Sequence, residues 1–80
     1  MRERKLPQFL VNITPLVLTR ARETAKLTQA QAAELVYLSA ASRWGEYEAG
    51  MRNIDPARFE LFLLLSDQHP TFRLVRRRKN

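Results

Sequence analysis

The 80-residue chain contains no cysteine, so neither a disulfide nor a thiolate metal site contributes to it. One histidine and two glycines leave no histidine-rich metal cluster and no glycine-rich phosphate loop. No nucleophile is combined with a histidine and a carboxylate in the pattern that nucleophilic catalysis needs. We therefore expect a protein that is not an enzyme and that needs no metal or other cofactor.

Long apolar runs are also missing. The longest, residues 61–65, is far shorter than the roughly 20 residues of a membrane-spanning helix. The charged start is not followed by an apolar stretch and a cleavage site, so we expect no signal peptide. These absences predict a cytoplasmic protein with no membrane partner.

Positive charge is concentrated at the two ends of the chain. The formal net charge is +6; residues 1–5 contribute +2, residues 76–79 contribute +4, and the charges between them cancel. Basic ends can contact nucleic-acid phosphates and give a salt-dependent affinity. The other interpretation is a tail that only keeps the protein soluble.

The length predicts one domain over residues 1–80 with a small core. We expect a flexible basic head over residues 1–7, a helical core over 14–66 and a basic tail over 76–80. Because no disulfide supports this small core, a second copy of the chain would supply useful burial.

Four helices are predicted from their start and stop signals. Thr14 and Asp55 are capping residues, each followed by a proline at the first helical position. Thr28 with Gln31 fits a capping box, and Gly50 suits the left-handed position that ends a helix. The predicted helices cover residues 15–25, 28–36, 41–49 and 56–66.

Two short segments outside these helices have the composition of strands. Residues 8–13 are apolar with β-branched and aromatic members, and residues 71–75 alternate, with Phe72 and Leu74 on one side. Single short strands are not stable, so these would pair with each other or across a two-fold axis. The predicted fold class is mainly α, a four-helix domain with short terminal β-strands.

Residues 27–50 carry the most informative pattern. Two short predicted helices meet at a joint of about four residues, as in a helix-turn-helix. Adjacent Ala32 and Ala33 leave room for the second helix to cross close to the first. The second helix begins with small residues, as in the motif that places its second helix in the major groove of DNA.

Several residues of this segment follow the pattern of a known family: Leu27-Thr28-Gln29, Ala33, Leu35, Leu38 and the closing Trp44-x-x-Tyr47-Glu48-Ala49-Gly50. They resemble the Cro/C1-type (XRE-like) helix-turn-helix repressors of phages and plasmids, and the resemblance covers residues 14–65. Tyr37 stands where the family usually has a turn glycine, and Tyr47 replaces a common tryptophan. Trp44 falls one position late, so we expect a turn that is longer by one residue.

The resemblance implies two sets of DNA contacts. Thr28 and Gln29 match family positions that contact the DNA backbone. The positions expected to meet base edges are Ala40, Ala41, Ser42, Arg43, Gly45 and Glu46. Further backbone contacts are expected from Arg52, Asn53, Arg76, Arg77 and Arg78.

Arg43 is the side chain expected to give specificity, since a guanidinium can pair with O6 and N7 of guanine. Glu46 can accept from a cytosine amino group. The alternative is that Arg43 pairs with Glu46 on the helix surface, because residues three apart lie together. Glu46 would then be an ordinary exposed helix residue.

Other residues of interest have structural interpretations. Trp44 and Tyr47 lie one turn apart on one face and are predicted to enter the core. Glu48 is expected to orient its helix by pairing with Arg22 or Arg52. His69 has no partner ligands in the sequence, and we expect no metal or catalytic role for it.

The fourth predicted helix is apolar nearly all the way round, so we expect part of it to face a partner. The alternative is a fully buried helix at the centre of the core. The residues expected at a homodimer interface are Phe62, Leu65, Phe72 and Leu74.

We therefore expect a sequence-specific repressor that binds double-stranded DNA as a homodimer, on an inverted repeat with half-sites about 10 base pairs apart. The resemblance suggests control of its own operon or of neighbouring plasmid or phage genes, at the nucleoid in the bacterial cytoplasm. No small-molecule ligand is expected, so control would come from protein concentration through dimerisation.

Two other hypotheses remain. The chain could be a protein-binding module, such as an antitoxin or inhibitor, that docks through the apolar fourth helix and binds DNA incidentally. It could also bind nucleic acid non-specifically through its basic ends alone. Small and hydrogen-bond-donating residues at the start of the third predicted helix favour the DNA-reading hypothesis.

Overall fold

The computed structural model describes residues 5–77, and this part of the chain is mainly helical. Five helices follow one another: α1 (Gln8–Val11), α2 (Pro15–Thr24), α3 (Gln29–Leu35), α4 (Ser42–Glu48) and α5 (Pro56–Leu65). None of the five is long and apolar enough to cross a membrane. The mainly α class is confirmed, and α2 to α5 each begin and end within one residue of the predicted bounds.

The predicted capping residues start three of these helices. The hydroxyl of Thr14 accepts from the backbone N–H of Val17 at 3.2 Å, and Asp55 caps α5. Thr28 and Gln31 form the predicted capping box, with reciprocal bonds of 3.1 and 2.9 Å. Local side-chain chemistry therefore sets where these helices begin.

Four helices end in the same way. After α2, α3, α4 and α5 comes a residue with left-handed backbone, and these residues are Lys26, Tyr37, Gly50 and Asp67, with φ between 59° and 76°. The next N–H then bonds to a carbonyl five residues back, as from Leu38 to Ala33 at 2.9 Å. This Schellman arrangement satisfies carbonyls that a helix end leaves free. The left-handed position predicted for Gly50 is confirmed, and Tyr37 takes the same conformation without being a glycine.

The predicted strand over residues 8–13 is wrong. Residues 8–11 form α1, a single turn in which the N–H of Leu10 donates to the carbonyl of Pro7 at 2.9 Å. The turn packs against α5 and buries Leu10, whereas a strand here would have no partner in residues 5–77. An apolar run this short fits either structure, so tertiary packing decides between them.

The second predicted strand is absent as well from the part of the chain that the structure describes. Residues 72–77 have no regular secondary structure, and the N–H groups of Thr71 and Phe72 donate to the ring of His69 instead of to a neighbouring strand. Pairing of residues 71–75 across a two-fold axis stays a prediction.

The core is built around α5. Phe59, Phe62 and Leu63 are buried, and the Phe62 ring lies 4.8 Å from that of Trp44 between centroids. The other buried apolar residues are Leu10, Leu18, Ala21, Ala32, Ala33, Val36, Tyr47 and Ile54. The predicted core positions of Trp44 and Tyr47 are confirmed.

Placing Phe62 at a dimer interface was wrong. Its side chain is fully buried against Trp44, so it is not accessible to a second copy. Three of the ten residues of α5 are buried and Leu65 is exposed, so the helix is only partly buried by the chain's own core. Leu65, Phe72 and Leu74 keep substantial exposed area and stay candidates for an interface.

Candidate nucleic-acid interface

The surface of interest is carried by α3, α4 and the turn between them. Ala32 and Ala33 are fully buried where α3 packs against α4. Their methyl groups let the two helices approach closely, as the sequence predicted. The carbonyl of Val36, at the end of α3, accepts from Nη1 of Arg58 on α5, which fixes the turn to the core.

Glu48 is the centre of a hydrogen-bonded network that joins α2, α3 and α4. Its carboxylate accepts from Nε1 of Trp44 at 2.6 Å and from Nε and Nη2 of Arg22 at 2.7 and 3.2 Å. It also accepts from the hydroxyl of Thr19 at 3.0 Å and from Nε2 of Gln29 at 3.1 Å. We call these five residues the Glu48 network; it confirms the predicted pairing of Glu48 with Arg22.

The network lowers the pKa of Glu48 to about 2 from an ordinary value of 4.5. Burial is the largest influence and raises the pKa, but the hydrogen bonds from Arg22, Gln29, Thr19 and Trp44 together outweigh it. The hydrogen bond to Glu48 in turn raises the pKa of Arg22. The carboxylate is therefore ionised at neutral pH and holds the three helices in one arrangement.

The start of α4 carries no side-chain cap. The helix begins at Ser42, one residue later than predicted, so Ala40 and Ala41 lie in the turn before it. Ala41 and Ser42 are exposed, and Ala40 is half-buried. Small side chains thus leave the backbone accessible at this end of α4, where the sequence predicted base contacts.

Gly45 lies where α4 meets the side chain of Gln29 on α3. A Cβ atom at this position would come within 3.0 Å of Oε1 of Gln29, so this side of Gly45 faces α3. The missing side chain therefore makes room for Gln29, whose amide reaches past it to Glu48. Gly45 contributes to the contact between the two helices and is half-buried, and its contact with a base stays a prediction.

Arg43 and Glu46 pair on the surface of α4, as the second interpretation of the sequence held. Nε of Arg43 lies 3.2 Å from Oε1 of Glu46, and Nε of Arg52 lies 2.8 Å from the same oxygen. We call Arg43, Glu46 and Arg52 the arginine–glutamate triad. It brings two of the arginines that were predicted to contact DNA, Arg43 and Arg52, together at one edge of α4.

The remaining predicted contacts are more scattered. Asn53 is exposed in the loop after α4, and Thr28 and Gln29 begin α3. Arg76 and Arg77 are exposed in the segment beyond α5, which has no regular secondary structure. Arg78 lies outside the described residues.

His69 has a structural role that the sequence did not reveal. Its buried ring pairs through Nε2 with Glu60 at 2.9 Å, and Nδ1 accepts from the N–H groups of Thr71 and Phe72 at 3.1 and 3.0 Å. Because Nδ1 accepts, Nε2 carries the proton and donates to the carboxylate. The ring also contacts Phe9 edge-on, with centroids 5.1 Å apart. His69 therefore anchors the start of the C-terminal segment to α1 and α5.

The contacts that the sequence did not reveal share one feature: the two partners are distant in the chain. Thr19 and Gln29 meet at Glu48, and Gln68 donates to the carbonyl of Ala21 at 2.9 Å. No local spacing signals such contacts. Within residues 5–77, no group of three or more histidine, cysteine, aspartate or glutamate side chains is placed to hold a metal ion.

The surface of α3 and α4 presents guanidinium, hydroxyl and backbone groups next to small side chains. No protein-family model, no curated protein and no solved structure matches the chain. Inference about its function therefore depends on the geometry of α3 and α4.

Proposed function

We propose that the chain is a sequence-specific double-stranded-DNA-binding repressor of the Cro/C1 type. In this proposal α3 and α4 form a helix-turn-helix, and α4 enters the major groove with its first turn towards the base edges. A homodimer places two copies of α4 on an inverted repeat and blocks transcription there. The genes controlled are its own operon or neighbouring plasmid or phage genes.

The observation that carries the proposal is the combination at the start of α4 of small exposed residues with an arginine. Ala41 and Ser42 are exposed and small, so a DNA groove can approach the backbone closely. Arg43 follows directly and keeps about a third of its side chain exposed. A guanidinium beside a closely approached groove can pair with O6 and N7 of guanine.

The Glu48 network supports the same function from inside the molecule. Base reading needs a helix held at a fixed angle and depth, since hydrogen bonds to base edges tolerate little displacement. Glu48 connects α4 to α2 through Arg22 and to α3 through Gln29.

Dimerisation is part of the proposal, with a smaller interface than the sequence suggested. Of the four residues predicted at the interface, Leu65, Phe72 and Leu74 are exposed, whereas Phe62 is buried. The alternative of a protein-binding module that docks through α5 has less support, because three of the six large apolar side chains of that helix, both phenylalanines among them, are buried in the core.

The proposal is tested by selecting from a pool of random-sequence duplexes with the purified chain. We expect enrichment of an inverted repeat with half-sites about 10 base pairs apart. Fluorescence anisotropy then compares the most enriched duplex, here called the selected duplex, with a scrambled duplex of the same composition. At near-physiological salt the selected duplex should bind roughly a thousandfold more tightly.

Arg43→Ala should lower this preference by about tenfold, which is within the range for one lost bidentate base contact. Arg20→Ala is the matched control: it removes the same charge from α2, on the side that faces Phe9 and Pro70 rather than α4. If no sequence is enriched, or if both duplexes bind equally and added salt removes both, the repressor function is wrong.

A further inference from the structure

The arginine–glutamate triad has an arrangement that base contact by Glu46 does not explain. One carboxylate oxygen of Glu46 is shared by two arginines from different parts of the chain: Arg43 from the first turn of α4 and Arg52 from the loop beyond it. The side chains of Arg43, Glu46 and Arg52 are 34%, 32% and 54% exposed. Because Oε1 already lies beside two cations, a contact with a cytosine amino group would fall to the other carboxylate oxygen.

Stability does not account for the triad either. Ion pairs between partly exposed side chains contribute little to folding, because water and salt screen them and both side chains lose freedom. What Glu46 does change is the local charge. Without it, two guanidinium groups would lie together at one edge of α4 and attract any phosphate.

An arginine keeps donors available while its Nε lies beside a carboxylate oxygen. A guanidinium has five N–H donors, and the close approach to Glu46 uses Nε in both arginines. The Nη groups of Arg43 thus remain available for a guanine while Nε stays beside Glu46. Glu46 can hold the guanidinium plane in place during base pairing.

We propose that Glu46 is a specificity-determining residue that positions Arg43 and restrains non-specific binding to DNA. The inference rests on the proposed function. At a matching site Arg43 pairs with guanine and keeps Glu46 as its partner. At other sites the two arginines must leave Glu46 to reach phosphates, and the carboxylate is left unpaired beside a polyanion, which opposes binding.

The test uses the full chain with Glu46→Gln, which keeps the size of the side chain and removes its charge. Affinity for the scrambled duplex should rise several-fold, and the slope of log affinity against log salt should become steeper by about 1. Affinity for the selected duplex should rise less or fall. The ratio of the two affinities should drop by about fivefold or more.

Glu34→Gln is the matched control, since it makes the same charge change at an exposed position on α3. It should leave the ratio of affinities unchanged. In an Arg43→Ala background, Glu46→Gln should no longer alter the ratio, because the side chain that Glu46 positions is gone. Thermal melting of each variant checks that the fold is retained, and Glu46→Ala repeats the measurement with a different side chain.

Three results would overturn the inference. A selective loss at the selected duplex with no gain at the scrambled one makes Glu46 a direct base contact. Equal effects of Glu46→Gln and Glu34→Gln on both duplexes reduce it to net charge. If the wild-type chain selects no sequence at all, the proposed function itself fails, and that failure is visible before any variant is made.

Discussion

Glu46 and Glu48 lie two residues apart on α4, which turns their side chains to different faces, about 200° apart around the helix. Glu48 faces inwards, is 8% exposed and accepts five hydrogen bonds from four residues. Glu46 faces outwards and meets only arginines that water can also reach. The same side chain is thus part of the architecture on one face and exchangeable on the other.

The difference comes from the donors and not from the charge alone. Around Glu48, an indole, a hydroxyl and an amide add neutral hydrogen bonds to the ion pair with Arg22. Losing the carboxylate would leave several of these donors buried without a partner. Around Glu46, a lost partner is replaced by water or by a phosphate. The comparison can be tested by changes that act on one face and spare the other.

The largest effect is expected from Glu48→Ala. It should lower the free energy of unfolding by about 3 to 5 kcal/mol, because it leaves Arg22 and its neighbours without their acceptor. A domain this small has little stability to spare, so much of the variant would be unfolded. Urea denaturation followed by the fluorescence of Trp44, the single tryptophan, measures it.

Glu46→Ala is the paired measurement on the outer face, and its effect should stay within about 1 kcal/mol. Comparable losses in the two variants would mean that the two carboxylates contribute equally to folding. The distinction between an architectural and an exchangeable glutamate would then be lost.

A second change tests the packing of the inner face. Ala33→Leu should lower the free energy of unfolding by about 2 to 3 kcal/mol, because a larger side chain has no space where α3 crosses α4. Ala30→Leu, at an exposed position of the same helix, should change it by less than about 0.5 kcal/mol. A tolerant Ala33 would show that the two helices can separate without cost.

The third prediction concerns pH. The pKa of Glu48 is about 2 in the folded chain against an ordinary 4.5, so its stabilisation is complete above pH 4.5 and is lost as the pH falls towards 2. Allowing for solvent screening, the loss should be about 2 kcal/mol. It is measured as the difference between wild type and Glu48→Gln in urea denaturation across this range. Glu46→Gln should keep the wild-type pH dependence; if it removes the effect, the titrating group has been assigned to the wrong face.

The sequence predicts features set by neighbouring residues better than features set by contacts between distant parts of the chain. Helix starts at Thr14, Thr28 and Asp55 are set by side chains within three residues, so local spacing reveals them. Glu48 was expected to pair with Arg22 or Arg52, and the partner is Arg22. The helix starts were predictable because they depend on interactions between residues close together in the chain.

Other features depend on which surfaces meet, and no spacing encodes that. Residues 8–11 become a helix because α5 offers a surface for Leu10. Phe62 is buried because Trp44 lies against it. The space beside Gly45 is occupied by the side chain of Gln29 from another helix. From the sequence alone, residues 8–13 were predicted as a strand, Phe62 as a dimer contact and Gly45 as a base contact.

The smallest effect, and the only gain in stability, is expected from Tyr37→Gly in the turn. Tyr37 is 79% exposed and has a φ of 62°, a left-handed conformation that costs a residue with a side chain about 1 kcal/mol. Glycine removes that cost and still allows the Schellman hydrogen bonds of α3. The free energy of unfolding should therefore rise by up to about 1 kcal/mol, less the part offset by the greater freedom of glycine in the unfolded chain.

Tyr37→Ala is the control, because it removes the ring and keeps the strain. If the alanine variant loses as much as the glycine variant gains, the ring packs usefully against Leu27 and Leu35, with which it lines a shallow depression. If glycine stabilises the fold and alanine has no effect, the backbone at Tyr37 carries a strain that folding does not need. A loss of DNA affinity in the glycine variant would then connect that strain to binding.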